Sequence, residues 1–255
     1  MFELGLRGRR ALVHGGAHGL GLACARALAA EGVRVALFDT DAAALSRAAT
    51  ELDALALPGD PSSREQIEGA VADAESALGG IDILVNAAPV EPAPAPLHEV
   101  ADAEWERVAS DHLLAYLRFM RAVTPGMRER GHGRILNLTG VAGRNPDPLR
   151  LPASTAAIAV LNLTKAVADE FAHHGVTINA VSPGVFEGDE ALEDGGPGEQ
   201  ENGNGVEAEM VVGIPAGRAG TTEELADLML FLASDRASYV TGASITIDGG
   251  RTRGI

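Results

Sequence analysis

Near the start of the chain, His14-Gly-Gly-Ala-His-Gly-Leu-Gly21 lies between an apolar run, Ala11-Leu-Val13, and an apolar helical stretch from Leu20 to Ala30. A strand, a glycine turn and a helix start in that order aim backbone N–H groups and a helix N-terminus at a pyrophosphate. Gly15, Gly19 and Gly21, with Leu20 between the last two, form the candidate cradle. Asp39 ends the second apolar run, eighteen residues after Gly21. A carboxylate there accepts hydrogen bonds from an adenosine ribose and repels a 2′-phosphate, so NAD is expected over NADP. Asp60 follows the third run and Asn86 the fourth, at strand ends where open α/β sheets bind ligands. The same glycines also serve tight packing of helix on sheet, and that reading stays open at this point.

These residues need elements to hold them. Short apolar runs alternate with longer amphipathic stretches over the first 180 residues, the pattern of βαβ units feeding a parallel sheet. Strands are expected near Ala11 to His14, Val33 to Phe38, Ala54 to Leu57, Ile81 to Val85, Arg134 to Thr139, Thr177 to Val181 and Ser244 to Ile247. Helices are expected over 19–31, 41–52, 62–78, 103–130, 153–174 and 221–234. The expected fold class is α/β, a Rossmann-type doubly wound parallel sheet of about seven strands. A single domain is expected over 1–255, with no linker of domain scale.

Composition narrows the partners. The 255 residues carry a formal charge of −16, which opposes binding to nucleic acid or an anionic membrane. Cys24 is the only cysteine, so neither an internal disulfide nor a thiolate metal cluster is available. The N-terminal residues lack the continuous apolar core of a signal peptide, and no apolar run reads as a membrane span, so a cytoplasmic protein is expected. Between Glu187 and Glu209 stand nine acidic residues, six glycines and no basic residue. This composition predicts a solvated, mobile, acidic flap at about 185–215.

Together with Asn179-Ala-Val-Ser-Pro-Gly184, Gly133-Arg-Ile-Leu-Asn-Leu138, Gly217-Arg-Ala-Gly-Thr-Thr-Glu-Glu-Leu-Ala226 and the closing Tyr239-Val-Thr-Gly-Ala-Ser-Ile-Thr-Ile-Asp-Gly-Gly250, the glycine turn resembles the short-chain dehydrogenase/reductase family nearly end to end. The resemblance implies hydride transfer between a nicotinamide and a carbonyl or alcohol, with a tyrosine passing the proton. Free tyrosine titrates near about 10, and a lysine four residues later favours its anion. The family's spacing puts that tyrosine at Ala153, the lysine at Ala157, the substrate-binding serine at Gly140 and the supporting asparagine at His112. The only tyrosines are Tyr116 and Tyr239, the only lysine is Lys165, and no Tyr-x-x-x-Lys occurs. His14 replaces a family threonine, Asn86-Ala-Ala-Pro89 replaces Asn-Asn-Ala-Gly, and Gly188 replaces a threonine near the nicotinamide.

His112 is the best substitute candidate, since an imidazole can donate a proton near neutral pH, although a histidine at such a position is more often a packed or hydrogen-bonded helix residue. Tyr116, one turn further, could reach the same cleft or belong to the core. Ser154 and Thr155 lie beside the changed tyrosine position without an evident base. The resemblance also implies pairing of the long helices, through residues such as Leu113, Leu117, Val160 and Leu161, into a homo- or hetero-oligomer. The expectation from sequence is a non-catalytic subunit that partners or regulates an active NAD-dependent dehydrogenase. The alternative is an NAD-dependent oxidoreductase acting on a carbonyl or alcohol with a substitute proton donor such as His112.

Overall fold

A computed structural model describes residues 3–88, 92–187 and 213–253. Seven parallel strands, β1 (Arg10–His14), β2 (Arg34–Asp39), β3 (Leu55–Pro58), β4 (Ile83–Asn86), β5 (Gly133–Leu138), β6 (Val176–Pro183) and β7 (Ser244–Ile247), form one sheet. Their order is β3-β2-β1-β4-β5-β6-β7, so the winding reverses between β1 and β4. At such a reversal the crevice beyond the strand ends takes a ligand. The expected doubly wound parallel sheet is present.

The helices that cross between strands are α1 (Gly19–Ala30), α2 (Ala42–Leu52), α3 (Arg64–Leu78), α4 (Asp102–Val108), α5 (Ala115–Arg130), α6 (Leu151–Phe171) and α7 (Thr222–Ala233). Their starts follow local chemistry. Asp41 caps α2 by accepting from the Ala43 and Ala44 N–H groups, Ser63 caps α3, and Thr221 with Glu224 closes a capping box on α7. Helix α6 begins two residues before the expected 153, because Pro152 sits in its first turn, where the missing N–H leaves no bond unmade.

Alternation along the strands sorts side chains onto two faces. Val13, Ile83, Val85 and Leu136 pack with α1, α2 and α7. Leu12, Leu84, Ile135 and Ile178, on one register row, pack with α3, α5 and α6. Contrary to the sequence expectation about spans, Leu151–His174 is long and apolar enough by length and composition to cross a membrane. Half of that window is buried within the fold, as in a core helix.

The expected single helix over 103–130 is interrupted. Between α4 and α5 the residues Ala109–Leu114 form a π turn. One inserted residue shifts the phase of the helix, and such turns are frequent at functional sites. His112 lies in it.

Candidate functional site

The glycine turn links β1 to α1. Gly15 has φ of 78°, and a Cβ there would stand 2.7 Å from the Ala87 carbonyl oxygen. A Cβ on Gly21 would stand 2.0 Å from the Gly15 carbonyl oxygen. Both glycines therefore serve close packing. Gly19 differs, since it has φ of 47° and its missing Cβ faces open space. His18 is the N-cap of α1 but makes no capping bond through its side chain, and the first turn holds no acidic residue. The first backward bond runs from Leu22 N–H to His18 C=O at 3.0 Å, so the Gly19, Leu20 and Gly21 amides precede the ladder. An open, positively polarised helix start beside a small residue fits a pyrophosphate.

Asp39 ends β2 beside this turn. Its Oδ2 accepts from Ala17 N–H at 3.0 Å and its Oδ1 from Asp41 N–H at 3.2 Å, which fixes the carboxylate at the edge of the crevice. Asp60 is exposed after β3, with Oδ1 accepting from Ser62 N–H at 2.7 Å. These residues line the crevice beyond β2 and β3. On the nicotinamide side, Gly188 and Pro89 lie outside the described residues, as does most of the acidic segment 187–209.

Moving up the strands, the apolar row gives way to a polar one. His14, Asn86 and Asn137 occupy matching positions on β1, β4 and β5. Asn86 is fully buried, with Nδ2 donating to Asn137 Oδ1 at 2.8 Å and Oδ1 lying 3.4 Å from His14 Nδ1. Asn137 Nδ2 donates in turn to Thr164 Oγ1 on α6 at 3.0 Å. The Asn86 side chain is thus committed to the sheet. His14 stacks on Phe119 with ring centroids 4.6 Å apart, and burial lowers its pKa to about 3. One step further, Thr139 Oγ1 meets Ser182 Oγ at 3.0 Å.

Past the end of β5, Gly140 has φ of 75° with open space where a Cβ would be. Ala153 and Ala157 are buried on successive turns of α6, and Gly143 packs against Ala157. The π turn packs against the same helix. Tyr116 is buried and its hydroxyl donates to the Leu138 carbonyl at 2.8 Å. Burial raises its pKa, and with the hydroxyl held by the sheet the core reading of Tyr116 fits. Ser154 Oγ accepts from Asp147 N–H at 3.1 Å, a loop contact.

His112 lies one turn before Tyr116, with ring centroids 4.8 Å apart. His112 is 2 % exposed, neither ring nitrogen has a partner among the described residues, and burial lowers its pKa to about 4.

Sequence reasoning passed over Asn137 and Thr164. The available signal was an asparagine inside the apolar run Ile135-Leu-Asn-Leu138.

Three comparisons place this geometry. A family model described as enoyl-(acyl carrier protein) reductase matches residues 15–252. The chain is 37% identical over 252 residues to "Nodulation protein G" of Rhizobium meliloti (strain 1021), covering 98% of each. It is 36% identical over 246 residues, 96% of each, to "2-dehydro-3-deoxy-L-rhamnonate dehydrogenase (NAD(+))" of Sphingomonas sp. (strain SKA58). The crystal structure of L-sorbose reductase from Gluconobacter frateurii, complexed with NADPH and L-sorbose, superposes with a TM-score of 0.91 at 27% identity and full coverage of both chains.

These relatives overturn the expectation of a non-catalytic subunit. Proteins that match the chain along its whole length are named as a dehydrogenase and a reductase, which favours the oxidoreductase alternative. From the glycine turn to the closing strand, the chain belongs to the short-chain dehydrogenase/reductase family.

Proposed function

We propose that this chain is a nicotinamide-dinucleotide-linked oxidoreductase that interconverts an alcohol and its carbonyl, with NAD as the preferred dinucleotide. The observation that carries this reading is the open N-terminus of α1 at Gly19, flanked by the fixed Asp39 carboxylate. Gly19, Leu20 and Gly21 would hold the pyrophosphate through their amides, and Asp39 the adenosine ribose. The bound nicotinamide would supply or accept the hydride. For the accompanying proton, His112 is the substitute donor this reading carries, since 140, 153 and 157 are Gly, Ala and Ala. The dehydrogenase named for NAD(+) and the sugar reductase solved with NADPH support redox chemistry on hydroxylated carbon chains.

Calorimetry tests the cofactor half. NAD is expected to bind more tightly than NADP, and Asp39→Ala to cut that preference at least about tenfold, or about 1.4 kcal/mol. Equal affinities for both dinucleotides in the parent chain would refute the assigned preference, and absence of binding would refute the whole reading.

A second observation favours self-association. Leu114 at the π turn and Ile158 on α6 are exposed at 38% and 48%. Large exposed apolar side chains on neighbouring helices mark a contact surface. We assign it to a second copy of this chain.

A further inference from the structure

A pair of half-exposed side chains joins the starts of α1 and α2. His18 immediately precedes Gly19, and its Nε2 lies 3.2 Å from Asp41 Oδ2, with the two side chains 47% and 48% exposed. Asp41 caps α2 through Oδ1, and its own N–H donates to Asp39 Oδ1. Asp39 Oδ2 accepts in turn from Ala17 N–H, one residue before His18. The imidazole is thus tied to the glycine turn by the chain and to the Asp39 carboxylate through Asp41. Although His18 is the N-cap of α1, its side chain makes no capping bond, and Nδ1 has no hydrogen-bond partner among the described residues.

With the ribose at Asp39 and the pyrophosphate on the Gly19, Leu20 and Gly21 amides, the phosphate that joins them passes residue 18. The charge around the ring there is mostly negative. Asp41 is held below the usual carboxylate range by the Ala44 N–H, with His18 adding to the effect. Asp39 ends β2 two residues before it. The basic residue of α1, Arg26, is paired with Glu51, and its first turn holds no acidic residue. Helix α2 carries Arg47 beyond its first turn, and the start of α7, which packs along α1, carries Glu223 and Glu224, the latter paired with Arg218. On β1, His14 is buried against Asn86 and uncharged at neutral pH.

An ion pair half open to water is weak, so Asp41 alone holds an imidazolium loosely. Opposite charge within about 4–6 Å favours the charged form, and a phosphate beside Nδ1 supplies a second such charge. Asp41 is an acceptor, which assigns the proton of a neutral ring to Nε2 and leaves a lone pair on Nδ1. That lone pair repels a phosphate oxygen, whereas a protonated Nδ1 donates to it. We infer that His18 is a further dinucleotide-binding residue that docks as the imidazolium, bridging the Asp41 carboxylate and the dinucleotide phosphate, so that the chain takes up a proton from solvent as it binds its cofactor. This rests on the oxidoreductase reading above. No bond of the dinucleotide is made or broken.

Calorimetry of the full chain with NAD, in phosphate-free buffers of different ionisation enthalpy, counts the protons. NAD is the probe because its pyrophosphate stays ionised over pH 6–8.5, whereas a phosphate monoester such as the 2′-phosphate of NADP itself titrates near about 6. Uptake of up to about one proton per chain is expected within that range, with affinity falling about tenfold from its acid to its alkaline end. His18→Gln is expected to abolish the uptake and flatten the affinity profile. Asp41→Asn, which keeps an acceptor to cap α2, is expected to lower the uptake. In nitrogen-15 NMR of the chain labelled in histidine, the signals lost in His18→Gln are expected to move toward the imidazolium pattern when NAD is added at pH 7.5. NAD binding without proton uptake anywhere in the range overturns the inference, as does uptake that persists in His18→Gln or a His18 ring whose charge is the same with and without NAD. Should His18→Gln fail to fold, the buffer series on the parent chain and on Asp41→Asn decides. A chain that binds no NAD strikes the oxidoreductase reading and this inference with it, whereas binding without uptake strikes this inference alone.

Discussion

Gly140 takes φ of 75° and ψ of 159°, a region that side-chain-bearing residues enter only at a cost of about 1–3 kcal/mol. Space for a serine exists, since an added Cβ would meet nothing within 4 Å, but the backbone opposes it. Gly140→Ser is therefore expected to lose about 1–3 kcal/mol of stability in urea unfolding and to gain no turnover. An unchanged midpoint with increased turnover would show that the strand end accepts a hydroxyl. The sequence displayed the glycine but not the sign of φ, which is set where β5 leaves the sheet for the short turn at Val141–Gly143. That Gly15, Gly19 and Gly21 fall at the β1–α1 turn and Asp39 at the end of β2 was legible because their spacing is local to one βαβ unit. The burial of His112 was not, because it depends on how two distant helices pack.

At the scale of elements, the π turn shows where periodicity stops informing. Apolar spacing over 103–130 predicts one continuous helix, and the chain instead forms α4, a π turn and α5. A single extra residue in one turn changes the azimuth of His112 without changing composition, so no count of apolar positions reveals it. The strands were legible because each is a short apolar run bounded by glycine or charge, and β5 sits within one residue of its expected span. The exposed apolar positions flanking the π turn belong to the proposed contact between copies. Ile158→Asp, on the outer face of α6, is expected to shift native mass spectrometry from an even-numbered oligomer to monomer. A parent chain that is already monomeric removes the contact from the account. Retention of the oligomer in both Ile158→Asp and Leu114→Asp places it elsewhere.

Across the whole molecule, polarity rises along the strands from the Leu12 row to the His14 row and then to the Thr139–Ser182 pair. This gradient puts two neutral histidines in the interior, and it has a sign. Burial lowers the pKa of His14 to about 3 and of His112 to about 4, against about 6.5 in the unfolded chain. Between those values the unfolded chain binds more protons, so stability is full above about pH 6.5 and falls as the solution is acidified toward the folded-state values. At pH 5 each buried histidine is expected to cost about 2 kcal/mol relative to pH 7.5. Urea unfolding at the two pH values checks this, and a profile that is flat over that window contradicts neutral interior imidazoles. The His14, Asn86 and Asn137 row also carries a consequence for inheritance. A strand that slips by one residue would set an amide against a hydrocarbon, so the trio acts as a key that admits one alignment of the three central strands. Because altering any one member strands the hydrogen-bonding groups of its neighbours, descendants of this chain can revise the key only by changing its teeth together.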